Sequence, residues 1–382
     1  MNLKSVKLND MLRERARRLS LLGVLCLALG LSSCESIYDD DPNCLQGIAL
    51  RFVYDYHMEP GANAFADNVD CINVFVFDEA GNYVTQFKET SDVLRNDWYR
   101  MNIPLESGKY QLMVYGGLAC EHSRFSLTPD WIATPSAKKE DIRVTLPRNA
   151  QGESDVQLHN IKERTGGLFY GTLDVELTED DYSSTYREET VYLMNDVNDI
   201  QIILQELQFP YEVDYADYNF QIIDDNFVLD CNNKAVKTIT EEYTPSVYKP
   251  YAAENRIIGA AANLGNGTRL EEDEEQPVQV ACAEFSTSRL LVEHRSTARL
   301  LITSNRERND NGTPRTIINI PLINYLTLVR GFGDSWIKTD QEFLDRQSRW
   351  TLMLFLKDER WVENSITVNY WNVRLNNEEL GL

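Results

Sequence analysis

Apolar and polar residues alternate with a period of two along much of this chain. Over residues 47–56, Ile48, Leu50, Phe52 and Tyr54 fall on one face and Ala49, Arg51 and Val53 on the other, which predicts a strand with one face buried. Residues 69–78 are almost continuously apolar and read as a central strand. Glu79-Ala80-Gly81-Asn82 makes a turn and 83–88 return, the clearest hairpin signal in the chain. Further strands are predicted at 99–104, 108–117 and 141–146. After a polar stretch near 149–155 they continue at 167–177, 199–207, 218–223, 227–231 and 240–251, then at 278–285, 297–304 and 316–320. Residues 321–329 fit helix or strand, 340–347 form the best short helix, and 350–356 and 365–375 are the last two strands.

Many short strands at roughly ten-residue spacing with few helices describe an all-β protein of antiparallel sandwiches. The strands are too numerous for one ordinary sandwich. The economical division is an N-terminal sandwich over 47–155 and a C-terminal one over 156–382, with a long loop near 263–276 that carries Glu271, Glu272, Asp273, Glu274 and Glu275. No period of 20–50 residues recurs, which argues against a solenoid or propeller.

The first 46 residues follow a different pattern. Arg13, Arg15, Arg17 and Arg18 precede an apolar run over 19–31, and Leu31-Ser32-Ser33 leads to Cys34. That run is well short of the roughly 20 residues a spanning helix needs. Basic, apolar and small residues ending at a cysteine read as a lipoprotein signal peptide over 1–33, with Cys34 as the lipid acceptor. An acylated Cys34 would hold the chain to a membrane on its non-cytoplasmic side. Residues 34–46, rich in acidic side chains, read as a tether that an anionic bilayer repels.

Charge narrows the function classes. The chain carries 37 basic and 60 acidic residues, a net charge of −23, and beyond residue 33 the imbalance is larger still. Nucleic-acid binding needs clustered Lys and Arg, so this balance argues against it. Five cysteines remain past the proposed acceptor: Cys44, Cys71, Cys120, Cys231 and Cys282. None stands in a CxxC pair and the four histidines are scattered, so no zinc site or other metal or cofactor is expected. Asn263-Leu264-Gly265-Asn266-Gly267-Thr268 lacks the lysine and preceding strand of a phosphate loop, and no catalytic motif occurs elsewhere. These absences argue against an enzyme and against a small-molecule substrate.

In antiparallel neighbours the start of one strand lies beside the end of the other. Cys71 begins one predicted strand and Cys120 follows the end of another, so the two could form a disulfide. Cys44 could reach Cys120 by the same logic, and buried free thiols are the alternative.

Several blocks resemble a known family. Ser33-Cys34-Glu35-Ser36-Ile37-Tyr38 through Cys44 leads into Gly47-Ile48-Ala49-Leu50-Arg51-Phe52, then Asn63-Ala64-Phe65, Val69-Asp70-Cys71 and Val74-Phe75-Val76-Phe77-Asp78. The tail adds Phe343-Leu344-Asp345-Arg346-Gln347 and Ile366-Thr367-Val368-Asn369-Tyr370-Trp371. Together these are similar to the FimB-like fimbrillin-associated anchor lipoproteins of Bacteroidales. The resemblance implies two transthyretin-like sandwiches and an outer-membrane lipoprotein that tethers a fimbrium and limits its length. It implies fimbrial shaft subunits as partners, engaged by strand addition. In the related shaft subunits a protease removes the first strand. Here that strand would be kept, with Arg51 inside it rather than in a cleavable loop. The rival reading is a surface lipoprotein that binds glycans or host ligands, which a row of exposed tryptophans among Trp98, Trp131, Trp336, Trp350, Trp361 and Trp371 would support.

Overall fold

The alternation over 47–56 becomes a strand because its two faces meet different surroundings: Ile48, Leu50 and Phe52 are buried, while Ala49 and Arg51 are only half-buried. The computed structural model describes residues 46–58, 61–121, 123–128, 130–146, 167–181, 186–236, 246–258, 278–332, 336–368 and 371–376. The segments expected to form a signal peptide, a tether and an acidic loop near 263–276 lie outside them.

The N-terminal strands are β1 (Gly47–Val53), β2 (Ile72–Asp78), β3 (Tyr83–Glu89), β4 (Met101–Pro104), β5 (Gly108–Gly116), β6 (Ser126–Leu127), β7 (Arg143–Thr145), β8 (Phe169–Leu177), β9 (Arg187–Tyr192) and β10 (Met194–Asn195). All but β6 and β7 build a three-stranded sheet, β4-β1-β9, facing a five-stranded sheet, β10-β8-β5-β2-β3. Ile48, Leu50 and Phe52 pack against Val74, Val76, Leu112 and Val114 in one apolar cluster. Short helix α1 (Phe65–Asn68) adds Phe65 to that cluster.

The C-terminal strands are β11 (Val197–Glu206), β12 (Tyr218–Asp224), β13 (Val228–Asp230), β14 (Ser246–Tyr248), β15 (Ala252–Ile258), β16 (Val278–Ser288), β17 (Arg299–Arg308), β18 (Pro314–Pro321), β19 (Arg349–Lys357), β20 (Arg360–Val368) and β21 (Trp371–Asn376). A six-stranded sheet, β15-β16-β11-β19-β20-β21, faces a four-stranded sheet, β14-β12-β17-β18, and β6, β7 and β13 form a small third sheet. Ile200, Ile202 and Leu204 meet Phe220, Ile222, Leu300 and Ile302 in the core between them. Burying each such side chain contributes about 1.5–3 kcal/mol.

Residues 69–78 are apolar on both faces for a visible reason. Val74 and Val76 point into the N-terminal core, while Phe75 and Phe77 on the opposite face join the cluster that runs on into the C-terminal sheets. Trp131 seals that second face, its ring edge-on to Phe75 with centroids 5.5 Å apart.

Strand pairing crosses the expected boundary at 155/156. Residues 147–166, around the expected boundary at 155/156, lie outside the described set, and β8 on their far side returns to pair with β5 over nine residues, Gly108↔Leu177 to Gly116↔Phe169. β9 likewise pairs with β1. The chain passes from one set of sheets to the other between Asn195 and Val197. β7, the last strand before that stretch, pairs with β13, whereas β8, the first after it, pairs with β5.

Most sheet pairings are antiparallel; β1–β9 and β11–β19 are parallel. The ambiguous segment 321–329 contains helix α2 (Leu322–Thr327), whose Leu322, Ile323, Tyr325 and Leu326 form a buried helical stripe. Helix α3 (Asp340–Arg346) occupies the expected place, and Thr339 caps it by accepting from the Glu342 N–H at 3.1 Å. The last predicted strand, 365–375, instead falls across two strands, β20 and β21, paired antiparallel.

Candidate functional site

The segment with the strongest claim to function is β1, because it is the first described strand and sits in the middle of its sheet. On one side Gly47, Ile48, Ala49 and Leu50 pair antiparallel with Pro104, Ile103, Asn102 and Met101. On the other, Ile48 to Val53 pair parallel with Arg187 to Tyr192. Gly47 fits only as glycine: its φ is +137°, and an added Cβ would lie 2.2 Å from the Ile103 carbonyl oxygen.

Aromatic contacts fix the far end. Phe52 stacks on Phe65 at 5.3 Å between centroids, and Tyr54 meets Phe169 edge-on at 5.0 Å. Asn63 accepts from the Tyr54 N–H at 2.9 Å, the Leu193 N–H donates to Val53 O at 2.7 Å, and Ala64 N–H donates to Tyr54 O at 2.8 Å. Burial pushes the Tyr54 hydroxyl pKa up to about 12, so it stays neutral. Arg51 lies inside the strand, opposite Thr190, with both neighbouring backbones in ladder positions. A protease needs an extended, unpaired segment, and this one is paired.

Beyond β1 the chain touches the C-terminal half. The guanidinium of Arg346 on α3 lies 3.9 Å from the ring centre of Tyr56 and 4.8 Å from that of Trp336. A buried polar group stands at the crossing point between the halves. Asp196 is fully buried; its N–H donates to Leu168 O at 2.7 Å and its carboxylate accepts from Asn233 at 2.8 Å. Arg289 grips Asp345 through two bonds of 2.8 Å and lies 4.0 Å from Asp196. Burial raises the Asp196 carboxyl to about 7, against the lowering effect of Arg289.

The structure brings Cys71 and Cys120 together as a disulfide, with Cα atoms 6.2 Å apart. Their strands β2 and β5 are antiparallel neighbours in which Ile72 faces Gly116. Cys231 and Cys282 are free and buried, and Cys34 and Cys44 lie outside the described residues. Among the described residues no three His, Cys, Asp or Glu side chains converge as a metal site, and no helix is long and apolar enough to cross a membrane.

The tryptophans form no row among the described residues. Trp131 and Trp350 are in the core, and Trp350 donates to Asn198 at 3.1 Å. Trp98 is exposed in the segment before β4, Trp336 lies beside Arg346, and Trp361 is half-buried. Sequence reasoning missed β9, the parallel partner of β1. Arg187, Glu188 and Glu189 hide it, and only the Thr190-Val191-Tyr192 run carries strand preference.

The model of one family, described as fimbrillin-A associated anchor proteins Mfa1 and Mfa2, matches residues 39–377. Among solved structures, a candidate adhesin from Bacteroides thetaiotaomicron is 34% identical, and the match covers 87% of this chain and 99% of that one at a TM-score of 0.71. A protein from the same organism, described as a candidate polysaccharide-binding protein, is 26% identical over 87% of this chain and 99% of its own, with a TM-score of 0.66. The fimbrial anchor protein Mfa2 from Porphyromonas gingivalis shares the fold at 18% identity, 87% and 99% coverage and a TM-score of 0.58. A comparison with curated proteins finds no match. With its strand-built halves described and the family model covering nearly all of them, this chain belongs to the fimbrillin-A associated anchor family.

Proposed function

We propose that this protein tethers a fimbrium to the outer membrane through a lipid on Cys34 and limits the fimbrium's length by keeping its own first strand. The observation that carries the reading is the position of β1, paired on both sides and packed through Ile48, Leu50 and Phe52 into the N-terminal core. Where a subunit loses that strand, the opened groove invites a strand from a neighbour. A groove already filled from within takes no donor, so assembly stops at this molecule. Removing β1 here would take Ile48, Leu50 and Phe52 out of the core, at a cost of about 1.5–3 kcal/mol each.

Growth in the other direction needs an available edge. β21 ends the six-stranded sheet and pairs only with β20 in the described order. A shaft subunit would add along that edge through main-chain hydrogen bonds. The acidic tether, repelled by anionic lipid, would hold the sheets off the surface. Family membership supports a structural role over a catalytic one. The glycan-binding reading is less favoured, because the described tryptophans are dispersed between core and surface.

Deleting the gene and imaging fimbriae by electron microscopy tests the proposal. Long fimbriae released into the medium are expected. Fimbriae of unchanged length that stay on the cell would overturn it.

A further inference from the structure

The direction of the β1–β9 pairing has a mechanical consequence. Both strands run the same way, with six residue pairs from Ile48↔Arg187 to Val53↔Tyr192. β1 is entered at Gly47 from the tether, and β9 is left at Tyr192 toward the C-terminal sheets. Tension between the two attachments therefore pulls the N-terminal end of one strand against the C-terminal end of its parallel neighbour. The pull runs along the strands, so every rung is loaded together. In an antiparallel pair with the same connections, both attachments would sit at one end and the rungs would break in succession.

Other contacts align the load with this pair. Gly47, at one end of β1, faces Pro104, whereas the far end of β1 leads to Tyr56 and its contact with Arg346 of α3. Gly47 and the C-terminal sheets thus lie toward opposite ends of β1. The Leu193 N–H bond to Val53 O, at 2.7 Å, extends the ladder toward the crossing point. There Asp196 is held to Leu168, the residue just before β8, and to the C-terminal half through Asn233. β4 flanks β1 on its other side over four residue pairs, so sliding β1 breaks that ladder too. The inner side chains Ile48, Leu50 and Phe52, each at most 3% exposed, must leave the core in the same movement.

We propose that the β1–β9 pair is a shear clamp that carries tension between the membrane tether and the C-terminal sheets. The inference rests on the anchor reading only for the source of that tension. A retained first strand then has a second use: besides closing the groove, it makes the N-terminal sheets a strong link in the chain of force. Forced unfolding is governed by the unfolding rate, so the clamp's value is kinetic and does not require high equilibrium stability.

Single-molecule pulling on the purified chain beginning at residue 34, with Cys34→Ser and Cys44→Ser, tests it. One variant carries handles at Gln46→Cys and Tyr192→Cys, which load the pair lengthwise. A second carries them at Gln46→Cys and Tyr186→Cys, which load the same two strands from one end; Arg187→Cys replaces the latter if that variant does not fold. A rupture force severalfold higher in the first geometry is the expected result. Equal forces, or a higher force in the second geometry, would overturn the clamp. The comparison needs no fimbria, so failure here leaves the anchor reading standing, and attached fimbriae after gene deletion would defeat that reading without touching this result.

Discussion

Between about pH 4 and pH 7, Asp196 holds a proton in the folded chain that it would lose on unfolding. Its carboxyl titrates near 7 in the fold against 3.8 for the free group, because burial outweighs the attraction of Arg289. A folded-state value above the unfolded one means that stability falls as pH rises between the two and levels off above about 7. His294 acts with the same sign. Its Nδ1 lies 2.8 Å from an Asp224 oxygen, and although burial opposes the charge, the bond and charge of Asp224 raise its pKa above 6.5. That contribution is complete below about 6.5 and is lost as pH climbs through the raised value. Urea unfolding should therefore show stability dropping by roughly 2 kcal/mol from pH 5 to pH 8. Asp196→Asn should flatten that slope, since Arg289 keeps its paired bonds to Asp345. A slope unchanged in the variant would assign the effect elsewhere. None of this was legible in sequence: Asp196, Asn233, Arg289 and Asp345 are distant along the chain and meet only through the fold.

Among the elements, those whose period follows from a single environment were the readable ones. β1 alternates because one face is buried, and α3 announces itself by Thr339 ahead of an acidic first turn. β9 was missed because its charged start lies in an edge strand, where only Val191 is fully buried. β15 was missed for a similar reason: it lies at the edge of its sheet and Ile257 is 76% exposed. The Cys71–Cys120 pairing follows from β2 and β5 being antiparallel neighbours, an adjacency that their apolar runs suggest. The bridge spans a sequence separation of 49, enough to remove about 4 kcal/mol of unfolded-chain freedom in the loop-closure account. Cys71→Ser should lower the unfolding free energy by about 2–5 kcal/mol, with a matching drop in Tm. The variant should also lose the reductant sensitivity of the parent. A parent whose Tm is indifferent to reductant would contradict the bridge's role.

At the scale of the molecule, the all-β architecture was legible, but the pairing of β8 with β5 and of β9 with β1 was not. The polar stretch near 149–155 has the composition of a linker, yet β8 and β9 return across it to the N-terminal sheets. Only the partner of a strand decides its sheet, and partners are set by long-range burial that a local window does not register. The same limit hid the continuity of the core, in which Phe75, Phe77, Met113 and Tyr115 of the N-terminal sheet join one cluster with the C-terminal strands. That shared cluster and the polar group at Asp196 tie the N-terminal sheets to the C-terminal ones.

In the proposed anchor, the molecule stands in the fimbrium with its first strand intact and its leading cysteine acylated. Mass spectrometry of the protein recovered from assembled, cell-attached fimbriae tests this directly. The expected N-terminal peptide begins at an acylated Cys34 and runs unbroken through Arg51. A chain that begins after Tyr56, or one whose Cys34 carries no acyl mass, would contradict it.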